Sequence, residues 1–185
     1  VITHNMKNKK LLLGIAWAWL TCMSANAEVK LPAFFSDGMV MQQQTRANLW
    51  GTATPNAPVK ITTSWDKQTY KTTADAKGAW KLALSTPSAG GPYTITFDDG
   101  KLTEIRDILM GELWLCSGQS NMEMPMKGFK NQPVENSNTD VMNSRNPQLR
   151  LFTVKRTSSF TPKTDVVGTW QEAVPATVRE FSATA

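Results

Sequence analysis

The chain has 185 residues, of which 41% are hydrophobic and 19% charged, with a formal net charge of +5. That length holds one ordinary domain, or one small domain and part of another. The composition excludes a disordered chain, which is poorer in apolar side chains and richer in charge.

At the N-terminus Lys7, Lys9 and Lys10 precede the apolar run Leu11 to Met23, and Ala25-Asn26-Ala27 comes after it. The run is too short to span a bilayer as a helix. A basic stretch, a short apolar stretch and a small-x-small site together make a secretory signal peptide. The reading is a signal over residues 6–27, cleaved after Ala27, and a secreted or periplasmic protein with no stable membrane insertion. Thr21 before Cys22 argues against a lipoprotein signal. Without the signal, Lys plus Arg falls from 20 to 17 against 15 acidic residues, so the net charge falls from +5 to +2. No basic cluster remains to support nucleic-acid binding. Of the two cysteines, Cys22 leaves with the signal, so Cys116 has no partner for an intrachain disulfide. The one histidine, His4, also lies upstream, and residues 28–185 hold none.

Residues 28–105 carry a β pattern. Val59, Ile61, Thr63 and Trp65 alternate with polar residues, as do Trp80, Leu82 and Leu84, and then Tyr93, Ile95 and Phe97. Period two over such lengths marks half-buried strands. Turn signals separate them at 55–58, 75–78, 90–92 and 98–101, and Asp99-Gly100 is a hairpin signal. Short strands at this spacing predict a small all-β sandwich domain over residues 28–105. From Arg106 the texture changes to continuous apolar runs, Ile108 to Met110 and Leu113 to Cys116. Strands buried on both faces of an α/β sheet read this way, so a second domain is expected over 106–185. There a strand at 111–116 leads to a turn and short helix between Gly118 and Met126. A long loop over 127–147 and a strand at 149–154 come next. Thr177 with Glu180 reads as a capping box opening a final helix through Phe181.

The stretch GELWLCSGQSNMEMPM, Gly111 to Met126, places Ser120 where a strand passes into a helix. A serine hydroxyl becomes a nucleophile when a base takes its proton and N–H donors face the oxyanion. The first N–H groups of a helix are free for that purpose, and Gly118 permits a sharp turn. The common hydrolase elbow has a second glycine after the serine, and this chain has Met122 there. On spacing alone, Ser120 as a simple N-cap therefore stands ahead. Cys116 reads as a small buried hydrophobe rather than a nucleophile. Glu123 reads as a solvated first-turn carboxylate.

The same block resembles the nucleophile block of the sialate O-acetylesterase family, in the SGNH hydrolase group. FFSDGMVMQQ (Phe34 to Gln43), LWGTA, GAWKLAL and AGGPYTITF resemble its N-terminal β-domain in order, and Trp170 and FSATA resemble the entry to its next helix. The resemblance implies an α/β protein with an all-β N-terminal domain: a β-sandwich, then the start of an α/β/α SGNH-hydrolase domain. It implies a serine esterase acting on O-acetylated sialic acids or related sugars, with Ser120 as nucleophile. Gln119 and Asn121 orient the acetyl group or shape the oxyanion site, or else serve only as turn formers. The family's catalytic histidine and its acidic partner lie far downstream, so the chain is read as an N-terminal fragment that is inactive by itself. No metal or organic cofactor is implied, since neither a ligand cluster nor a phosphate loop is present. Two other readings stay open: an acetyl-xylan or other polysaccharide deacetylase using the same Ser120, and a non-catalytic sugar-binding module with Trp50, Trp65 and Trp80 as its platform.

Overall fold

The computed structural model describes residues 28–185. The signal sequence read at residues 6–27 lies outside them. The described part is mostly β. Its elements are β1 (Val40–Gln42), β2 (Arg46–Thr52), β3 (Pro58–Thr63), β4 (Thr69–Thr73), β5 (Ala79–Ser85), β6 (Gly90–Asp98) and β7 (Leu102–Gly111). Then come α1 (Ser120–Glu123), α2 (Ser137–Met142), β8 (Asn146–Phe152), β9 (Trp170–Ala173) and α3 (Pro175–Val178). A five-stranded mixed sheet has the order β1-β7-β6-β3-β4, with β2-β5 and β8-β9 as two-stranded antiparallel sheets.

The alternation seen in the sequence sets the core. In β3, Val59, Ile61 and Thr63 point inward while Pro58, Lys60 and Thr62 point to solvent. Leu49 and Leu84 of the β2-β5 pair join Ile61, Ile95, Phe97 and Ile108 of the larger sheet, all fully buried in one cluster. Each such side chain contributes about 1.5–3 kcal/mol relative to exposure. The Asp99-Gly100 signal is a hairpin as expected: Asp98 pairs with Leu102 across the turn, and Gly100 sits at φ +110°.

β7 runs straight through the boundary expected between 105 and 106. It carries a bulge there. Ile105 pairs with Ile95 and Ile108 with Tyr93, so three steps on β7 match two on β6. Asp107 takes the left-handed conformation, φ +55°. A bulge bends its strand and re-aims side chains. Beyond it β7 accepts β1 as a parallel neighbour, with Val40 opposite Leu109 and Gln42 opposite Gly111. Asp37 and Gly38 pin the bulge: Arg106 N donates to Asp37 Oδ1 at 2.7 Å, and Gly38 N to Arg106 O at 3.1 Å.

The β8-β9 hairpin docks through aromatic rings. Phe34, Phe152 and Trp170 lie 5.1–5.6 Å apart centroid to centroid, and Trp170 Nε1 donates to Phe34 O at 2.8 Å. The loop between β8 and β9 is tied back where Trp50 Nε1 donates to Thr164 O and Ala33 N to Asp165 Oδ1.

Three expectations need correction. The strand expected at 111–116 ends at Gly111. Leu113 to Cys116 find no ladder partner among the described residues, and Trp114 and Leu115 are 81% and 94% exposed. Without a neighbouring strand their backbone groups have no ladder to join. The last helix starts earlier than the Thr177 cap predicts, because Pro175 occupies its first turn with its φ already fixed. Thr177 sits at N3, where its hydroxyl accepts Val174 N–H at 3.0 Å, and Glu180 pairs with Lys127 instead. Finally, α2 interrupts the loop read over 127–147.

Candidate active site

The segment that carries Ser120 leaves the sheet at Gly111. Two glutamines hold its start. Gln42 Nε2 and Gln43 Nε2 donate to the two Glu112 oxygens at 3.0 and 2.8 Å, and Gln42 Oε1 accepts Leu113 N–H at 2.9 Å. The Gln42 bond first, then that of Gln43, holds the Glu112 carboxyl below the usual carboxylate range. Residues 112–118 then run exposed and irregular to α1.

Ser120 is the first residue of α1, and Gln119 is the N-cap. The N-cap reading of Ser120 is therefore corrected by one position. Gln119 makes no side-chain cap bond. Gly118 has an ordinary φ, so handedness does not call for glycine there. A Cβ would instead meet Met122 Cβ at 3.3 Å. The close approach of the chain to its own next turn is what favours glycine. Cys116 is exposed rather than buried.

A one-turn helix has little stability of its own. Neighbours hold α1 in place. Thr184 Oγ1 donates to Asn121 O at 3.2 Å, Ala183 N to Met124 O at 2.8 Å and Met126 N to Phe181 O at 2.9 Å. Arg156 pairs with Glu123 at 2.6 Å, so Glu123 is a paired surface carboxylate. Among the described residues the Ser120 hydroxyl has no hydrogen-bond partner. The N–H groups of Ser120, Asn121 and Met122 likewise donate to no described residue, as expected for a first turn. The side-chain amides of Gln119 and Asn121 are free in the same sense. All three predicted site residues thus stand together on one exposed turn, their side chains without a hydrogen-bond partner among the described residues.

The turn borders an open cleft of about 1880 Å³. Gly118, Gln119, Met122 and Glu123 line it on one side, and Arg150 and Trp170 on another. Ser120 and Asn121 stand at its edge rather than in its lining. Arg150, only 10% exposed, reaches the bulge with Nη1 to Asp107 Oδ2 at 2.5 Å and Nη2 to Oδ1 at 3.2 Å. Sequence reasoning missed Arg150, Arg156 and Glu112. Gln42 and Gln43 fall within a β-domain motif, and no pattern in the sequence links them to residue 112.

Trp50, Trp65 and Trp80 do not make a platform. Trp80 is 4% exposed in the core, Trp50 packs edge-on against Phe35 at 4.6 Å, and Trp65 packs against Tyr93 at 5.7 Å. Among the described residues no helix is long and apolar enough to cross a membrane.

No protein-family model matches the chain. In fold it is similar to a carbohydrate acetylesterase from Xanthomonas citri, with TM-score 0.76 and 34% identity, covering 84% of this chain and 35% of that one. The described fold is therefore one that this acetylesterase shares over about a third of its own length. It is 30% identical over 154 residues to a sialate O-acetylesterase of Pongo abelii, covering 78% of this chain and 29% of the relative. For the Rattus norvegicus sialate O-acetylesterase the figures are 31% over 149 residues, 75% and 27%. The chain belongs to the sialate O-acetylesterase family, and it spans less than a third of the length of these relatives.

Proposed function

We propose that this chain carries the nucleophile of a serine esterase that removes O-acetyl groups from sialic acids. The observation that carries the reading is the Ser120 turn: a free hydroxyl on the first residue of a helix, with three unpartnered N–H groups beside it, at the edge of a large cleft. Ser120 Oγ attacks the acetyl carbonyl carbon and a base takes its proton. The bond from carbonyl carbon to sugar oxygen breaks, and the sugar hydroxyl leaves with that proton. Water then attacks the acetyl-serine, releasing acetate and restoring the hydroxyl. The Ser120 N–H, with the amides of Gln119 or Asn121, stabilises the oxyanion in both steps. Residues 28–185 hold no histidine, so in this reading a histidine base comes from outside them.

In this reading residues 28–105, with β7 carrying on past them to Gly111, form a β-sandwich domain, 106–185 begin an α/β/α SGNH-type domain, and 6–27 direct export. The exported protein then begins at Glu28, which its intact mass checks. Retention of Leu11–Met23, or lipid on Cys22, contradicts export by this route.

A second reading has support of its own, because the structural neighbour is described only as a carbohydrate acetylesterase. A polysaccharide deacetylase would use the same Ser120. Comparing kcat/KM of the full-length protein on O-acetylated sialic acid and on acetyl-xylan separates the two. The sialate reading predicts the larger value on sialic acid, and a larger value on xylan moves the assignment to the polysaccharide.

A further inference from the structure

We propose that Gln42, Gln43 and Glu112 form a positioning clamp that sets where the Ser120 segment leaves the sheet. The inference rests on reading Ser120 as the nucleophile. Each glutamine is used at both ends. Gln42 donates to Glu112 and accepts Leu113 N–H, and Gln43 donates to Glu112 and accepts Ala89 N–H at 2.7 Å. The Gln43 backbone N–H also reaches Gly111 O at 2.9 Å. Neighbours on a strand face opposite ways. Both amides reach one carboxylate here because β1 ends at Gln42. Side chains thus continue the β1-β7 ladder past the last residue of β7.

The stretch beyond the clamp has no other support. From Trp114 to Gly118 no hydrogen bond is made to any described residue, and these side chains pack little, since Trp114 and Leu115 are almost fully exposed. The next hydrogen bond along the chain is within α1, Glu123 N to Gln119 O. Upstream of Ser120, among the described residues, the clamp is the last tie to the sheet. Downstream, residues 181–184 hold the far side of α1. With the far side of α1 held by residues 181–184, the clamp fixes the other end of the segment that carries Ser120, and freeing that end widens the range of positions open to the hydroxyl, where displacement of about 1 Å at a reacting group can cost about 100-fold in rate. An amide at position 112 cannot replace the carboxylate. It accepts at one atom only, and its own N–H₂ would face a second N–H₂.

The test uses the full-length protein and a serine-directed fluorophosphonate, which reports the reactivity of Ser120 without an acetylated substrate. Labelling rate, site of labelling and melting temperature are measured for wild type, Glu112→Gln, Gln42→Met and the double variant. We expect labelling at Ser120 to slow about tenfold in each single variant, and no further in the double, because groups acting as one unit are not additive. On a small acetyl ester kcat should fall with KM nearly unchanged, and melting temperature should shift little. Should Glu112→Gln fail to fold, Gln42→Met and Gln43→Met carry the test. Wild-type labelling rates in the folded variants overturn the clamp and leave the nucleophile standing. Absence of labelling at Ser120 in wild type overturns the nucleophile reading and the clamp with it.

Discussion

One of the residues outside the ordinary backbone range ties β7 to β8. Asp107 sits at φ +55° inside β7, and its carboxylate holds the nearly buried Arg150 guanidinium. Alanine at 107 loses both the charge and the tolerance for this conformation. Asparagine keeps the tolerance, since Asn visits the left-handed region more readily than most residues. Asp107→Ala should therefore cost about 2 kcal/mol, and Asp107→Asn about half of that, the half-exposure of Asp107 reducing the charge contribution. Denaturant midpoints at constant slope check the order, and equal costs would show that the backbone conformation contributes nothing. A second residue-scale effect concerns acid. The Gly100 N–H, and then Lys60, hold Asp98 below its ordinary value, as Gln42 and Gln43 hold Glu112. A lowered folded-state pKa gives stability that is complete above the unfolded value and lost as pH falls through the folded one. Melting temperature should therefore drop below about pH 4, and Asp98→Asn should flatten the slope there. An unchanged slope contradicts that contribution.

Among the elements, the β6-β7 hairpin and the aromatic dock of β8-β9 separate local from tertiary control. Gly100 has nothing near the position of a Cβ, so Gly100→Ala isolates the backbone cost at φ +110°, about 1 kcal/mol. Trp170 closes the dock, with its ring against Phe34 and Phe152 and its N–H on Phe34 O. Trp170→Ala should cost about 3 kcal/mol and loosen β8-β9 ahead of the main sheet, which hydrogen exchange resolves. Simultaneous loosening of both would contradict a separate dock. The contrast explains what the sequence disclosed. β3, β5, β6 and the Asp99-Gly100 turn were legible because alternation and turn chemistry are local. The same rule gave β8 to within a few residues. The apolar run Leu113 to Cys116 misled, because a continuous run reports the apolar character of a strand and not whether a neighbour is there to pair with it. The Thr177 box misled because Pro175, two residues earlier, is the stronger start signal.

At the scale of the molecule, the site was legible as a motif and not as a geometry. The Ser120 block could be read from its residues, whereas the clamp at Glu112 and Leu113, the Arg150 tie to the bulge and the Arg156 pair depend on contacts between residues 33 to 71 positions apart. Long-range contacts of this kind leave no periodic trace. The surface is also unusual. Leu113, Trp114, Leu115, Leu149 and Val154 are all exposed around one cleft, and apolar surface gathered in this way favours association. Residues 28–185 expressed by themselves should bind a hydrophobic dye and aggregate, and a monomeric, dye-silent fragment would contradict this.

The most direct measurement is Ser120→Ala in the full-length protein, reading turnover of an acetyl ester against melting temperature. Gln119, not Ser120, is the N-cap, and the Ser120 hydroxyl bonds to no described residue, so the substitution should change stability by less than about 0.5 kcal/mol. Loss of a nucleophile costs on the order of a million-fold in turnover in other serine hydrolases. Turnover should therefore be lost at an unchanged melting temperature. Turnover that survives the substitution would contradict the assignment of Ser120 as the nucleophile.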